Sequence, residues 1–451
     1  MTSESAPSRL DAQPDFTLGI DFGTTNTVAA LSRENGEALV VSFDAPSGST
    51  TAFRSTLGFQ LHQARGGQPP ERVVTAGPWA IEAYVEDPLE TRFIQSFKSF
   101  AASAAFTETM IDNRRYRFED LLSAFLLQLR GHGGEGLADL PARVVVGRPV
   151  TFAGNAPEEQ LALSRYEAGF GRLGFTDIRY AYEPVGAAFF FARTLKSEAT
   201  VLVADFGGGT SDFSVVRFER SNGRLTSKAL SHSGVGVAGD AFDYRIIDHL
   251  VSPELGKGGL YQAFDKQLPI PQRYYTAFAR WDQLALLRVS RDMRDIRALA
   301  RTALEREKIE CLIEVLDDNH GYALYQAVSA LKIALSRDDE AAFSFVAGSV
   351  KIEKLVTRVA FEGWIAPELA AIETAVDEAI SRSGESADTI DRVFLTGGTS
   401  FVPAVRSIFQ RRFGMEKIET GGEFESIASG LALIGREADL DLWTERLNVV
   451  V

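Results

Sequence analysis

Apolar and polar positions follow the same plan twice along this chain. Residues 17–31 predict an apolar strand that ends at Asp21, a tight Gly/Thr turn and a second apolar strand. An Asn-Gly pair at 35–36 then gives a hairpin signal. Residues 201–218 repeat this plan, with Asp205 at the end of the first strand. The two copies lie too far apart for a solenoid repeat, and they predict two related lobes of one molecule.

Further apolar patterns predict the elements that complete each lobe. Continuous apolar residues predict a buried strand over 142–150 and an apolar helix over 183–194. A helical period predicts a helix over 240–250. Residues 391–414 predict a strand, a Gly-Gly loop and a helix that ends at a glycine, and 426–438 predict one more helix rich in small residues.

The segment 251–327 predicts a mostly helical and charged elaboration of the second lobe. Its aromatic and aliphatic residues suit an amphipathic helical pair that packs on the lobe and leaves one face open to a partner. These residues are Tyr274, Tyr275, Phe278, Trp281, Leu284 and Leu287. A stabilising insertion that binds nothing is the alternative.

Composition and charge narrow the class of protein. With 451 residues, 45% hydrophobic and 24% charged, the chain has ample material for a packed fold. Its net charge of −14 argues against nucleic acid and anionic membranes as partners. The single cysteine and the five scattered histidines predict no disulfide and no structural zinc. Residues 1–15 predict a disordered leader, and the absence of a long apolar run predicts a cytoplasmic protein.

The duplicated turns carry the groups that a bound triphosphate needs, namely backbone N–H groups, hydroxyls, and carboxylates for Mg²⁺. In the first turn Asp21 is followed by Gly23, Thr24 and Thr25. In the second turn Asp205 is followed by Gly207, Gly208, Gly209, Thr210 and Asp212. One such turn is common hairpin structure, but two copies and a third loop at 397–398 together predict a phosphate-binding site.

Two other glycine motifs are weaker candidates. The segment 234–239, GVGVAG, matches the dinucleotide-binding pattern, but no strand that ends in an acidic residue follows at the required distance. The pair at 256–257, Gly-Lys, lacks the upstream glycine and the Ser/Thr of a P-loop. The sequence therefore predicts neither a Rossmann site nor a P-loop.

Five segments together resemble a known family. GIDFGTTNT, YEPVGAA, VADFGGGTSDFSVV, LKIALS and FLTGGTSFVPAV occur in the order found in the nucleotide-binding domain of heat shock protein 70 (DnaK-type) chaperones. The resemblance spans 17–438, and a closer likeness is to chaperone-like proteins of the YegD type. It implies an α/β actin-like ATPase fold, with ribonuclease H-like duplicated lobes at 16–196 and 197–438, a nucleotide cleft between them and a tail at 439–451.

The resemblance also implies roles for the residues of this chain, with ATP/ADP and Mg²⁺ as ligands. Asp21 and Asp205 would hold Mg²⁺ through water, and Glu183 and Asp212 would position the attacking water or the metal shell. The phosphates would meet Gly23, Thr24, Thr25, Gly207, Gly208, Gly209 and Thr210. The adenosine would lie near Lys332, Ser336, Gly397, Gly398 and Thr399.

Lys98 resembles the catalytic lysine of the family, which neutralises charge on the transferred phosphoryl group. A solvated surface lysine is the alternative for Lys98, and a carboxylate stabilised by a helix N-terminus is the alternative for Glu183. The chain departs from the family at Phe401 and Ser329, where an adenine-stacking arginine and an acidic residue are usual. These departures leave the strength of adenine recognition open.

The resemblance implies a slow, Mg-dependent ATPase that acts as a molecular switch. After residue 436 we expect no linker, β-sandwich or helical lid, and therefore no peptide-binding domain within this chain. A protein partner or co-chaperone would then contact 251–327. A small-molecule kinase of the sugar-kinase type and a filament-forming actin-like protein are the alternative functions.

Overall fold

The computed structural model describes residues 16–447, apart from gaps at 34, 47, 63–69, 88–89, 154–155, 193–194, 196, 222–223, 280–286, 288–289, 319, 420–421 and 423–424. The predicted leader, 1–15, lies outside the described residues. Among the helices that are described, none combines the length and the apolar character needed to cross a bilayer.

The strands of the fold alternate with helices along the chain. The strands are β1 (Thr17–Phe22), β2 (Asn26–Ser32), β3 (Ala38–Val40), β4 (Phe43–Ala45), β5 (Gly48–Thr50), β6 (Phe53–Arg54), β7 (Thr56–His62), β8 (Glu71–Ala76), β9 (Arg92–Gln95), β10 (Thr109–Ile111), β11 (Arg114–Tyr116), β12 (Arg143–Arg148), β13 (Asp177–Tyr182), β14 (Ala199–Phe206), β15 (Ser211–Ser221), β16 (Arg224–Val235), β17 (Leu260–Ala263), β18 (Lys266–Pro269), β19 (Glu340–Ala347), β20 (Val350–Thr357), β21 (Arg392–Thr396) and β22 (Ile418–Glu419).

The α-helices are α1 (Pro78–Glu86), α2 (Phe118–His132), α3 (Glu135–Ala138), α4 (Glu159–Gly171), α5 (Glu183–Ala192), α6 (Gly239–Ile246), α7 (Gln272–Ala279), α8 (Arg291–Leu299), α9 (Arg306–Asp317), α10 (Gly321–Leu335), α11 (Arg358–Trp364), α12 (Ala366–Ser383), α13 (Pro403–Phe413) and α14 (Ser426–Ile434). Short 3₁₀ turns include Phe97–Phe100 and Gly398–Phe401.

The central sheets of the two lobes share one topology. In the first lobe β1, β2 and β3 form an antiparallel meander, and β12 and β13 extend the sheet in parallel on the other side of β1. In the second lobe β14, β15 and β16 form the meander, and β21 and β22 extend it in parallel beside β14. The duplication predicted from the two apolar and glycine patterns is confirmed, strand for strand.

Two helices cross between the lobes and give them a shared core. α5, which follows the last strand of the first sheet, packs Ala187, Ala188 and Phe191 against strands of the second sheet. α14 packs on β1 and β2 of the first sheet. The two helices approach so closely that a side chain at Gly430 would collide with the carbonyl of Gly186. The lobe boundaries at 16–196 and 197–438 stay a prediction. α14 lies within 197–438 in the sequence, but the structure packs it on the sheet of the first lobe.

The segment 251–327 belongs to the core of the second lobe. It contains α7, α8, α9, part of α10 and the hairpin β17–β18, which the sequence pattern did not predict. Four of the six apolar residues named for this segment are buried in this core: Tyr274, Tyr275, Phe278 and Leu287. These four side chains pack on the lobe, and an open face elsewhere on the segment stays a prediction. The other two, Trp281 and Leu284, lie outside the described residues.

Candidate functional site

The first and second turns face each other between the lobes. Each turn is closed by its own backbone, with Gly23 N donating to the Asn26 carbonyl at 3.0 Å and Gly207 N donating to the Thr210 carbonyl at 2.9 Å. A side chain at Gly208 would collide with Thr25 Oγ1. Only glycine at this position lets the second turn approach the hydroxyls of the first turn so closely.

The third loop lies beside the second turn. It follows β21, which pairs in parallel with β14 and brings Thr396 level with Asp205. Gly397 has a positive φ of 82°, and a Cβ there would collide with the carbonyl of Phe206. Gly398 then begins a 3₁₀ turn in which Thr399 is buried. The predicted strand, loop and helix of this region are confirmed.

Four carboxylates gather beneath the turns. Asp21 lies at the end of β1, and Asp205 and Asp212 face each other across the β14–β15 pair. Glu183 is the first residue of α5. Burial first, and then the neighbouring carboxylates, raise the pKa of Asp205 well above its usual value. Burial and the charge of Glu183 likewise raise the pKa of Asp21 to about 7.

Lys98 is the cation of this cluster. Its Nζ lies 2.7 Å from Glu183 Oε1, and both side chains are buried. Burial alone would lower the pKa of Lys98, but the negative charges of Glu183 and Asp21 leave it raised. The residue before its short turn, Ser96, has a left-handed φ of 50°, which is strained for a residue other than glycine. A solvated surface lysine is thereby excluded, because Lys98 is 7% exposed.

Asp212 is held by groups from both lobes. Its Oδ1 accepts hydrogen bonds from the backbone N–H groups of Val150, at 3.0 Å, and Thr151, at 3.3 Å, in the first lobe. Its Oδ2 accepts from Thr210 Oγ1 at 3.0 Å. Burial and Glu183 raise the pKa of Asp212 to about 7, although these hydrogen bonds act in the opposite direction. The hydrogen bonds therefore fix the Asp212 carboxylate in position, while its surroundings favour the protonated form.

The elements assigned to the adenosine converge on Gly239. A Cβ on this glycine would lie 3.1 Å from Thr399 Oγ1 and 3.5 Å from Lys332 Nζ. Lys332 Nζ lies 2.6 Å from Asp243 Oδ1. Ser336 follows one helical turn later, and its hydroxyl donates to the carbonyl of Lys332 at 2.9 Å. The structure thus brings Lys332 and Thr399 together, whereas the hydroxyl of Ser336 bonds within its own helix.

Sequence reasoning missed part of this site. The GVGVAG motif runs from the end of the antiparallel strand β16 to the first residue of α6. Asp240 N, just beyond the motif, donates to the carbonyl of Gly208 at 2.8 Å. The motif is not a Rossmann turn, yet it completes the second turn. The sequence offered one signal for this part of the site: the glycine-rich motif is followed by two acidic residues, Asp240 and Asp243. Val150 and Thr151 contact Asp212 through their backbone N–H groups, and no residue type in the sequence indicates such a contact.

The donor set in the cleft fits a hydrated Mg²⁺ ion. Four carboxylates surround one lysine, so an added divalent cation would offset their repulsion. In the part of the chain that the structure describes, only one trio of His, Cys, Asp or Glu side chains brings its ligand atoms within 4.8 Å of one another, and that trio lies elsewhere. Among the described residues, the cleft carboxylates therefore do not form a cage of three direct ligands, and the water-mediated binding that the resemblance implies stays a prediction.

The raised pKa values predict how stability depends on pH. Without metal or nucleotide, the folded state binds more protons at Asp212 than the unfolded state between pH 3.8 and about 7. The free energy of unfolding should therefore fall as the pH rises through this interval, by at most about 1.4 kcal/mol per pH unit from this group, and level off above pH 7. Urea unfolding at pH 5.0, 6.0 and 7.5 would measure it.

Asp212→Asn is the matched comparison for this prediction, because the substitution removes the titrating group and keeps the shape. The decline with pH should be shallower in Asp212→Asn than in the unsubstituted chain. Equal slopes in the two proteins would show that Asp212 does not titrate in this interval.

Comparison with known proteins gives the family. The model of the family described as "Hsp70 protein" matches residues 101–267 and 297–437, which is more than half of the chain. The matched ranges include 251–267 and 297–327, so most of the segment 251–327 is shared with the family and only 268–296 within it falls outside the match.

Curated relatives agree with this match. The chain is 26% identical over 425 residues to "Chaperone protein DnaK" of Deinococcus proteolyticus, covering 92% of this chain and 58% of the relative. It is 26% identical over 422 residues to "Chaperone protein DnaK" from two strains of Thermus thermophilus, covering 92% of this chain and 60% of each relative. The chain thus spans about three fifths of their length. Since the family model matches more than half of the chain, this protein belongs to the Hsp70 family and has the actin-like ATPase fold.

Proposed function

We propose that this chain binds ATP with Mg²⁺ between its lobes and hydrolyses it slowly to ADP and phosphate. One observation carries the proposal: the duplicated turns meet at Gly208 and Thr25. Each turn follows a strand with a carboxylate at its end, Asp21 or Asp205, and Lys98 is paired with Glu183 in the same cluster. Facing turns of backbone N–H groups and hydroxyls are suited to a chain of phosphates. The carboxylates beneath them are suited to its metal ion.

Each group near the phosphates has a role in this proposal. Mg²⁺, when bound, neutralises charge on the phosphates, and Asp21 and Asp205 hold its water shell. Lys98 stabilises the negative charge that develops on the transferred phosphoryl group. Glu183 and Asp212 orient the attacking water. The turns contact the phosphates through the following residues: Gly23, Thr24, Thr25, Gly207, Gly208, Gly209 and Thr210.

The base and the ribose are assigned to the elements around Gly239. Lys332 and Thr399 converge there, and Gly397 and Gly398 lead the third loop into Thr399. Ser336 lies one helical turn beyond Lys332. Phe401, which is 43% exposed, ends the 3₁₀ turn of the third loop and offers an aromatic face for stacking.

Contacts across the cleft support a switch that depends on lobe closure. Arg54 Nη2 of the first lobe donates to the Tyr325 hydroxyl of the second at 3.1 Å. The rings of Tyr84 and Phe93 lie 6.1 and 6.0 Å from the ring of Tyr322. A ligand that contacts both turns favours the arrangement in which these pairs are formed. A protein partner that contacts 251–327 would then sense the bound nucleotide.

A small-molecule kinase is less well supported. The described pocket beside Thr24 and Thr25 is lined by groups such as Arg54, Ser55 and Gln95, and its lining contains no Asp or Glu. Hydrolysis needs only a water molecule near Glu183 and Asp212.

A ligand series tests the proposal. Mg-ATP and Mg-ADP should raise the melting temperature, because a ligand that binds only the folded state stabilises it by about 2.7 kcal/mol at one hundred times its dissociation constant. GTP and sugars should have smaller effects. Differential scanning fluorimetry, followed by calorimetric titration, measures both. Stabilisation by NAD with none by ATP would overturn the proposal and restore a dinucleotide reading of GVGVAG.

A further inference from the structure

We propose that Glu314, Asp318 and His320 form a binding site for Zn²⁺ or a similar first-row divalent cation, outside the nucleotide cleft. Each side chain offers one ligand atom, and these atoms lie within 4.8 Å of one another. Two ligands that share a zinc ion at about 2.1 Å each are separated by at most about 4.2 Å. Small side-chain rotations therefore suffice to close the site.

The local fold explains why these three residues meet. Glu314 lies in the last turn of α9, and Asp318, four residues later, caps the end of that helix. Residues four apart project from the same face of a helix. His320 precedes the first residue of α10, and its backbone N–H donates to the carbonyl of Val315 at 3.0 Å. This bond turns the chain back toward the end of α9.

One ring nitrogen of His320 has no hydrogen-bond partner among the described residues, and a bound metal ion would take that place. This atom, Nε2, is buried. A Cβ at Gly348 would lie 3.4 Å from this nitrogen and would collide with Glu314 Oε1, so the nitrogen and the carboxylate flank the same glycine. A buried polar atom without a partner costs about 1–3 kcal/mol. A bound cation would remove this cost.

Glu314 is already oriented as metal-binding carboxylates usually are. Ser349 N donates to Glu314 Oε1 at 2.6 Å, and the Ser349 hydroxyl donates to Oε2. Such outer hydrogen bonds fix the direction of a ligand and are typical of metal sites. Gly348, with a φ of 58°, gives the turn that brings Ser349 to the carboxylate.

Ion pairs balance two neighbouring acidic residues of α9. Arg306 lies 2.7 Å from Glu310, and Arg297 lies 2.6 Å from Asp317. Within the described ranges, neither Glu314 nor Asp318 forms an ion pair with a Lys or Arg side chain. The two carboxylates that converge on His320 therefore have no Lys or Arg side chain to offset their charge among the described residues.

The ligand types decide the class of ion. One imidazole and two carboxylates suit Zn²⁺ and other first-row divalent ions, whereas Mg²⁺ and Ca²⁺ prefer oxygen ligands alone. The sequence predicted no zinc site because its histidines lack ligand spacing, and a site with a single histidine does not show in such a pattern. The site leaves further coordination positions for water.

Zinc titration of the full chain tests the site. Zn²⁺ is added in millimolar Mg²⁺, which competes for the cleft carboxylates, and binding is followed by calorimetry. His320→Ala and Asp318→Asn should each weaken the affinity for Zn²⁺ about tenfold or more. His62→Ala, which removes an exposed histidine of β7, is the matched control and should leave the affinity unchanged. Co²⁺ should give a visible absorption band that His320→Ala abolishes.

Equal zinc affinity in the unsubstituted chain and in His320→Ala would overturn the proposal, as would a chain that binds no zinc. Circular dichroism and the melting temperature establish that each variant is folded. If His320→Ala fails to fold, Asp318→Asn at an exposed position decides the matter alone.

Discussion

Asp205→Asn should reduce ATP hydrolysis by about tenfold or more, which corresponds to about 1.4 kcal/mol or more in the activation free energy. Asp205 is 5% exposed and faces Asp212 across two paired strands. The amide keeps the shape of the side chain but cannot balance the charge of Mg²⁺ or order its water shell. Phosphate release at saturating Mg-ATP measures the loss.

Stability should respond in the opposite direction. The pKa of Asp205 is raised by burial and by three neighbouring carboxylates, so a neutral residue relieves repulsion in the nucleotide-free protein. We therefore expect Asp205→Asn to melt at the same temperature as the unsubstituted chain or at a higher one. Asp265→Asn, at an exposed hairpin position, is the control and should change neither quantity. If the folded Asp205→Asn variant released phosphate at an unchanged rate, the assignment of Asp205 to the metal site would be wrong.

Lys98→Met should impair both hydrolysis and folding. Loss of one donor that stabilises transition-state charge typically costs about a hundredfold in rate. Lys98 is also the cation among the buried carboxylates, and removing one partner of a buried ion pair costs about 3–5 kcal/mol. The lower end of that range is expected, because the carboxylates can take up protons. Urea unfolding and phosphate release measure the two effects.

A double-mutant cycle separates the two roles of Lys98. Glu183→Gln alone should lower stability less than Lys98→Met, because Lys98 keeps the nearby charge of Asp21. The double variant should recover part of the stability lost in Lys98→Met, since it buries fewer uncompensated charges, while its hydrolysis stays low. Lys351→Met, an exposed lysine, is the control. Additive stability losses in the cycle would contradict the buried pair.

The duplicated turns could be predicted because their determinants are local. Asp21 and Asp205 end apolar strands, and glycines follow at the positions where the backbone must turn sharply or approach the opposite lobe. Apolar runs likewise predicted the buried strand β12 and the helix α5. In these segments the spacing of residue types and the final structure express the same steric and hydrophobic requirements.

The remaining features depend on contacts between distant segments. An apolar pattern in 251–327 shows that some face is buried, but it does not show whether the lobe or a partner covers Tyr275 and Phe278. No strand residue of the hairpin β17–β18 is fully buried, and the apolar and polar residues of LYQA and KQLP do not alternate, so the sequence gives no strand signal there. The hydrogen bond from Val150 N to Asp212 joins the two lobes, and no local pattern in the sequence predicts it.

Hydrolysis of ATP in a single turnover tests the central claim most directly. Excess purified chain is mixed with γ-labelled ATP and Mg²⁺ without any acceptor, and the released phosphate is followed with time. We predict release of orthophosphate at less than about 1 s⁻¹, well below the median of about 10 s⁻¹ for enzymes, and its loss when the metal is chelated. ATP that stays intact under these conditions, or loses its γ-phosphate only to an added sugar, would contradict the account.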